Sequence, residues 1–149
     1  GGQRIEITLE SSQYNLRTHR YLLDDLRALV EFAQQRGCAV TFDTCHAGAN
    51  GEDLLECYEI VRPALRNVHL SDVAWRGGKP ITHRLPGEGT LPLAAFLGLL
   101  ARDGYDGLIT LEIHPREAGF WSRARSVRRL KKALAFVRGA IAQPAAPQV

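Results

Sequence analysis

The chain of 149 residues contains no methionine and begins Gly1-Gly2, so we expect a segment or a processed product of a longer protein. Cysteine is scarce. Cys38, Cys45 and Cys57 are odd in number and lack C-x-x-C spacing, which implies neither a disulfide framework nor a zinc ribbon. A reducing cytoplasm is the compartment that fits. No apolar run reaches the roughly 18 residues of a membrane span, so no membrane partner is expected. A strong excess of one charge is missing too: 19 basic against 16 acidic residues leave a net charge of +3. Much of that excess lies in one late helix, and it gives no reason to expect nucleic acid. What remains is 45% hydrophobic and 23% charged, the composition of one ordinary globular domain.

The stretch Phe42-Asp43-Thr44-Cys45-His46-Ala47 organises the rest. It follows Cys38-Ala39-Val40-Thr41, an apolar, β-branched run of strand length, and precedes Gly48, Asn50 and Gly51, which predict a loop. An acid and a histidine therefore leave a buried strand at its carboxyl end, where α/β folds place their ligand sites. Around it, strands are expected at 5–10, 39–43, 68–72 and 108–114, and helices at 16–35, 52–61, 92–102 and 122–142. Val127, Leu130, Leu134 and Val137 supply the apolar stripe of the last helix. The run 75–89 holds four glycines and two prolines and reads as a long functional loop. Residues 1–142 form the domain, and the Pro/Ala-rich tail 143–149 is expected to be unordered. Strict strand–helix alternation predicts an α/β fold of four parallel βα units.

A short repeat points to the chemistry. Ile7-Thr8-Leu9-Glu10 recurs as Ile109-Thr110-Leu111-Glu112, Val40-Thr41-Phe42-Asp43 is a near copy, and the remaining strand runs Asn67-Val68-His69. Side chains two apart on a strand share a face, so Glu10, Asp43, His69 and Glu112 point the same way, each above a small polar residue. Three carboxylates and an imidazole gathered in one place repel unless a cation joins them. Oxygen donors with a single nitrogen suit Mn²⁺ or Mg²⁺, with Co²⁺ or Zn²⁺ also acceptable.

These residues, with His83-x-x-Pro86-Gly87-Glu88-Gly89 and Gly104-Tyr105-Asp106-Gly107, resemble the carboxyl-terminal half of the xylose isomerase-like TIM-barrel superfamily from Ile5 to Ala142. That group includes sugar phosphate isomerases and epimerases, and endonuclease IV. The resemblance implies a metal at Glu10, Asp43, His69 and Glu112, and substrate contacts from His46 and His83, to which Arg84 is added as a neighbouring candidate. It implies metal-assisted proton transfer through an enediolate, with Glu10 and Glu112 as the catalytic base and acid and a sugar as substrate. Asp72 is expected to orient a ligand from behind.

The main rival is zinc-dependent cleavage of abasic-site DNA. There the family wording calls for Asp-x-His in the long loop, and Ile81 stands where that aspartate belongs. A closed barrel needs eight strands. Four are supplied, so the expected partner is an amino-terminal half-barrel or a second copy, and without one the chain would be an inactive or regulatory half-barrel.

Overall fold

The computed structural model describes residues 5–13 and 25–142. In chain order the elements are β1 (Thr8–Glu10), α1 (Leu26–Gln35), β2 (Ala39–Asp43), α2 (Thr44–Asn50), α3 (Leu54–Val61) and β3 (Leu65–Leu70). There follow β4 (Asp72–Arg76), β5 (Lys79–Arg84), α4 (Leu93–Arg102), β6 (Leu108–Leu111), α5 (Pro115–Ala118) and α6 (Arg123–Ala142). β1, β2, β3 and β6 form one parallel sheet in that order, and β4 pairs antiparallel with β5. Parallel neighbours need a crossover between them, and α1, α3 and α4 provide it.

The two sheet faces divide by residue parity. Val40, Phe42, Val68 and Leu70 join Leu29, Ala33, Leu54, Tyr58, Val61, Phe96, Leu97, Leu100 and Val137 in one buried core, with Leu9, Ile109 and Leu111 packed against it. Phe96 is its wedge, with ring centroids 6.0 Å from Phe42 and 5.7 Å from Tyr58. The opposite face carries Thr8, Thr41, Asn67 and Thr110 below Glu10, Asp43, His69 and Glu112. That face lacks an apolar cover among the described residues, and Thr8 and Thr110 are exposed.

Several sequence expectations need correction. The loop after Asp43 is instead α2, capped by the Asp43 carboxylate and closed by Gly51 at φ +77°. Helix wins here because Gly48 lets it press against Leu91 and Val73, where a Cβ has no room. The long loop 75–89 begins as the β4–β5 hairpin, since Gly77 and Gly78 both hold positive φ, as a two-residue hairpin turn requires. Asp72 accordingly opens β4 rather than closing the third strand, which runs Leu65–Leu70. β1 and β6 are shorter than expected. The first helix is present from Leu26 onward, with Asp25 as its N-cap; its expected part 16–24 and the tail 143–149 lie outside the described residues. On α6 the buried residues are Ala133 and Val137, whereas Val127, Leu130 and Leu134 are exposed.

Removing the wedge tests the core: Phe96→Ala is expected to cost about 3–5 kcal/mol in urea-induced unfolding. A cost below about 1 kcal/mol would show that α4 does not pack as described.

Candidate metal centre

Backbone register alone does not bring the four ligand candidates level. Asp43 pairs with His69, but Glu10 stands beside Thr41, and His69 beside Thr110. Each outer glutamate is therefore offset by one side-chain layer, and its longer side chain closes the gap. The layer beneath tilts the same way. The Thr41 hydroxyl donates to the Thr8 hydroxyl at 2.8 Å, and the Thr110 hydroxyl to Asn67 Oδ1 at 3.1 Å. Above it, His69 Nδ1 lies 3.0 Å from Glu10 Oε1 and 2.6 Å from Glu112 Oε2. Glu10, Asp43, His69 and Glu112 each offer one ligand atom, all within 4.8 Å of one another.

Asp43 is fully buried, and its two oxygens have different fates. Oδ1 accepts from the backbone N–H groups of Cys45 at 2.7 Å and His46 at 3.1 Å, capping α2. Oδ2 is buried with no hydrogen-bond partner among the described residues. Its nearest basic group is His46 Nε2, 3.7 Å away. A desolvated carboxylate oxygen left unpaired costs roughly 1–3 kcal/mol or more. A divalent cation among these four donors removes that cost, and hard oxygens with one imidazole are a donor set such ions accept. The residues present fit a metal.

Beside this group stand the two further histidines, with His46 and His83 in edge-to-face contact at 5.6 Å. His46 Nδ1 is 2.9 Å from the Ser11 carbonyl oxygen and 4.0 Å from Glu10 Oε1. His83 Nδ1 is 3.4 Å from Ser71 Oγ, 3.6 Å from Cys45 Sγ and 3.9 Å from Glu112 Oε1. Cys45, His46 and His83 thus make a second group that could hold a metal. Burial first, and then the Asp43 charge, pushes the Cys45 thiol up to about 12. Without an ion the sulfur keeps its hydrogen, whereas metals bind the thiolate. Sequence reasoning gave Ser11, Cys45 and Ser71 no role. Ser71, two residues beyond His69 on the same strand parity, carried the one usable signal.

No hydrogen bond or ion pair joins the Asp72 or Arg84 side chain to these side chains among the described residues. The buried Asp72 carboxylate instead accepts four backbone N–H groups: Val73 at 2.9 Å, Gly87 at 3.0 Å, Gly89 at 2.9 Å and Leu91 at 3.1 Å. It pins the turn that follows His83, and a Cβ at Gly89 would strike that carboxylate. Arg84 Nε lies 3.5 Å from Glu117 Oε2 on α5. Trp75 and Trp121 are both exposed.

The model of the xylose isomerase-like TIM barrel family matches residues 3–138. The chain belongs to this family. Among its relatives is an inosose dehydratase of Mesomycoplasma hyopneumoniae, 26% identical over 138 residues, covering 80% of this chain and 43% of that protein. A solved D-tagatose 3-epimerase-like protein is 25% identical with a TM-score of 0.64, over 92% of this chain and 49% of its own. D-psicose 3-epimerase from Clostridium cellulolyticum H10, solved with D-tagatose, shares the fold at a TM-score of 0.70 and 18% identity, over 92% and 50% of the two chains. The chain spans about half the length of these relatives or less, so the parallel sheet is part of a TIM barrel. No helix among the described residues is long and apolar enough to cross a membrane.

The turn anchored by Asp72 gives a direct test. Asp72→Ala strands four backbone donors and is expected to lower unfolding stability by about 3 kcal/mol in urea. A loss under about 1 kcal/mol would mean that the turn holds without it.

Proposed function

We propose that this chain carries the metal-binding half of a divalent-metal-dependent isomerase or epimerase. Its substrate is a sugar, a sugar phosphate or a related hydroxy-carbonyl compound. The observation that carries the reading is the convergence of Glu10, Asp43, His69 and Glu112, with Asp43 Oδ2 buried and unpartnered. The names of its relatives, a dehydratase of inosose and epimerases of ketoses, support the same class of chemistry. Mn²⁺ or Mg²⁺ held by these four residues, or Co²⁺ or Zn²⁺ in their place, supplies the Lewis acidity that stabilises an enediolate.

The other work falls to side chains. Glu10 and Glu112 stand on the outermost strands and approach His69 from either side. One carboxylate removes the substrate C–H proton, and the other, or the same one, returns it. His46 and His83 bind substrate oxygens. Arg84, tied to Glu117, adds at most a contact at the rim. Asp72 acts at one remove, by fixing the turn behind His83.

Completion of the barrel is part of the proposal. Among the described residues β1 and β6 each leave one edge unpaired, and Ile7 just before β1 and Leu108 in β6 are 62% and 70% exposed. An amino-terminal half-barrel, in the same polypeptide or another, covers both; a second copy is the other candidate. The alternative reading, a zinc-dependent abasic-site nuclease, draws on the Cys45, His46 and His83 group. It is disfavoured because Ile81 offers no ligand where that chemistry calls for one.

Turnover decides between them. We expect the chain joined to its amino-terminal half to epimerise or isomerise a ketose only with added Mn²⁺. Glu10→Gln should lower kcat by about 10²–10⁴-fold. Cleavage of abasic-site DNA in place of sugar turnover, or turnover indifferent to chelation, would overturn the reading.

A further inference from the structure

Two chain segments meet beside the candidate site, one running on from His83 and the other from Glu112. They share one backbone hydrogen bond, in which the His83 carbonyl oxygen accepts from the His114 N–H at 2.9 Å. His83 itself holds φ +52°, left-handed backbone that persists only where surrounding contacts over-determine it. Asp72 pins the turn after His83 from inside, through the Gly87 and Gly89 N–H groups. α6 closes on the same turn from outside.

Arg129 is the one basic residue of α6 that is not exposed. Its Nη2 donates to Glu88 Oε2 at 2.7 Å, and its Nε donates to the Glu117 carbonyl oxygen at 2.6 Å. Glu88 sits between Gly87 and Gly89 in the turn after His83, and Glu117 lies on α5, after Glu112. Arg129 thus ties both segments to a third element. Lys132 Nζ donates to the other Glu88 oxygen at 3.0 Å, and Arg84 Nε, 3.5 Å from Glu117 Oε2, adds a looser link between the same segments.

An exposed ion pair contributes little, because water screens it and two long side chains lose their freedom. Here both partners are largely covered, with 23% of the Arg129 side chain and 18% of the Glu88 side chain exposed. The planar fork of a guanidinium also meets two acceptors in fixed directions, which a lysine ammonium does not. No hydrogen bond or ion pair joins Arg129 to a candidate metal ligand, His46 or His83 among the described residues.

We propose that Arg129 is a positioning residue: by holding Glu88 and the Glu117 carbonyl at once, it locks the segment after His83 against the segment after Glu112. His83 Nδ1 and Glu112 Oε1, 3.9 Å apart, are thereby kept in register by a side chain that touches neither. That this register serves turnover rests on the function proposed above. The lock itself does not.

Amide hydrogen exchange of the folded protein, followed by NMR, tests the lock. The His114 amide, bonded across the two segments, reports their separation. The buried Val40 amide, bonded to the Ala64 carbonyl at 2.7 Å, reports unfolding of the core. We expect Arg129→Lys to speed His114 exchange by about tenfold or more, the factor that a lost hydrogen bond to a charged group is worth, while Val40 keeps its wild-type rate. Glu88→Gln should act in the same direction and carries the same test should Arg129→Lys not fold. The double variant should fall short of the product of the two effects, because both break one contact. His114 exchange that is unchanged, or quickened no more than that of Val40, overturns the proposal, and so do two effects that multiply in full. Both amides are read without added metal, so failure of the metal-dependent reading would show separately, as absent Mn²⁺ uptake by the wild type.

Discussion

One carboxylate, that of Asp43, is held at two levels of the structure at once. Oδ1 belongs to the fold, where it caps α2 and so fixes Cys45 and His46 relative to the end of β2. Oδ2 belongs to the site, aimed into the cluster and given no partner by the protein among the described residues. Because the first contact is short and fully buried, the second oxygen cannot swing away to water. The strand end thus holds a buried, unpartnered oxygen in place, one that a divalent cation would partner, and Glu10 and Glu112 bring further carboxylates from either side.

The sheet serves this arrangement by giving its two faces different work. Phe42, Val68 and their neighbours bury one face beneath the helices and set the strands rigidly. The other face carries hydroxyls and an amide linked across strands, Thr41 to Thr8 and Thr110 to Asn67. These pairs run diagonally to the backbone register, as side-chain layers do when strands tilt in a barrel. The same tilt explains why aspartate serves on β2 while glutamates serve on the outer strands, where an extra methylene is needed to reach. A half-barrel with a polar inner face leaves that face wet, which fits a surface completed by further strands rather than finished alone.

Much of this was legible in the sequence, because strand parity and a repeated Thr-x-acid ending are local signals. They gave the four parallel units and placed Glu10, Asp43, His69 and Glu112 together. His46 follows by its spacing from Asp43, and His83 by family resemblance. What escaped depended on contacts distant in sequence. Nothing within Thr44–Asn50 says helix as strongly as its glycines say loop; packing of Gly48 on Leu91 and Val73 decides it. The Gly77-Gly78 pair was read as part of a long functional loop, whereas two positive φ values in succession make a hairpin. The apolar stripe of α6 was read from periodicity, but only Val137 of its four residues is buried among the described residues, and Val127, Leu130 and Leu134 stay partly exposed. Asp72 was expected to orient a ligand from behind, yet its four backbone partners could be counted only once the turn was folded.

The most direct test of the account is the position of a bound ion. Anomalous scattering from crystals grown with Mn²⁺ should show one strong peak bonded to Glu10, Asp43 through Oδ2, His69 and Glu112. The His69 contacts to the two glutamates should give way to metal bonds. Finding Asp43 Oδ2 still unpartnered, with manganese absent or bound elsewhere on the chain, would contradict it.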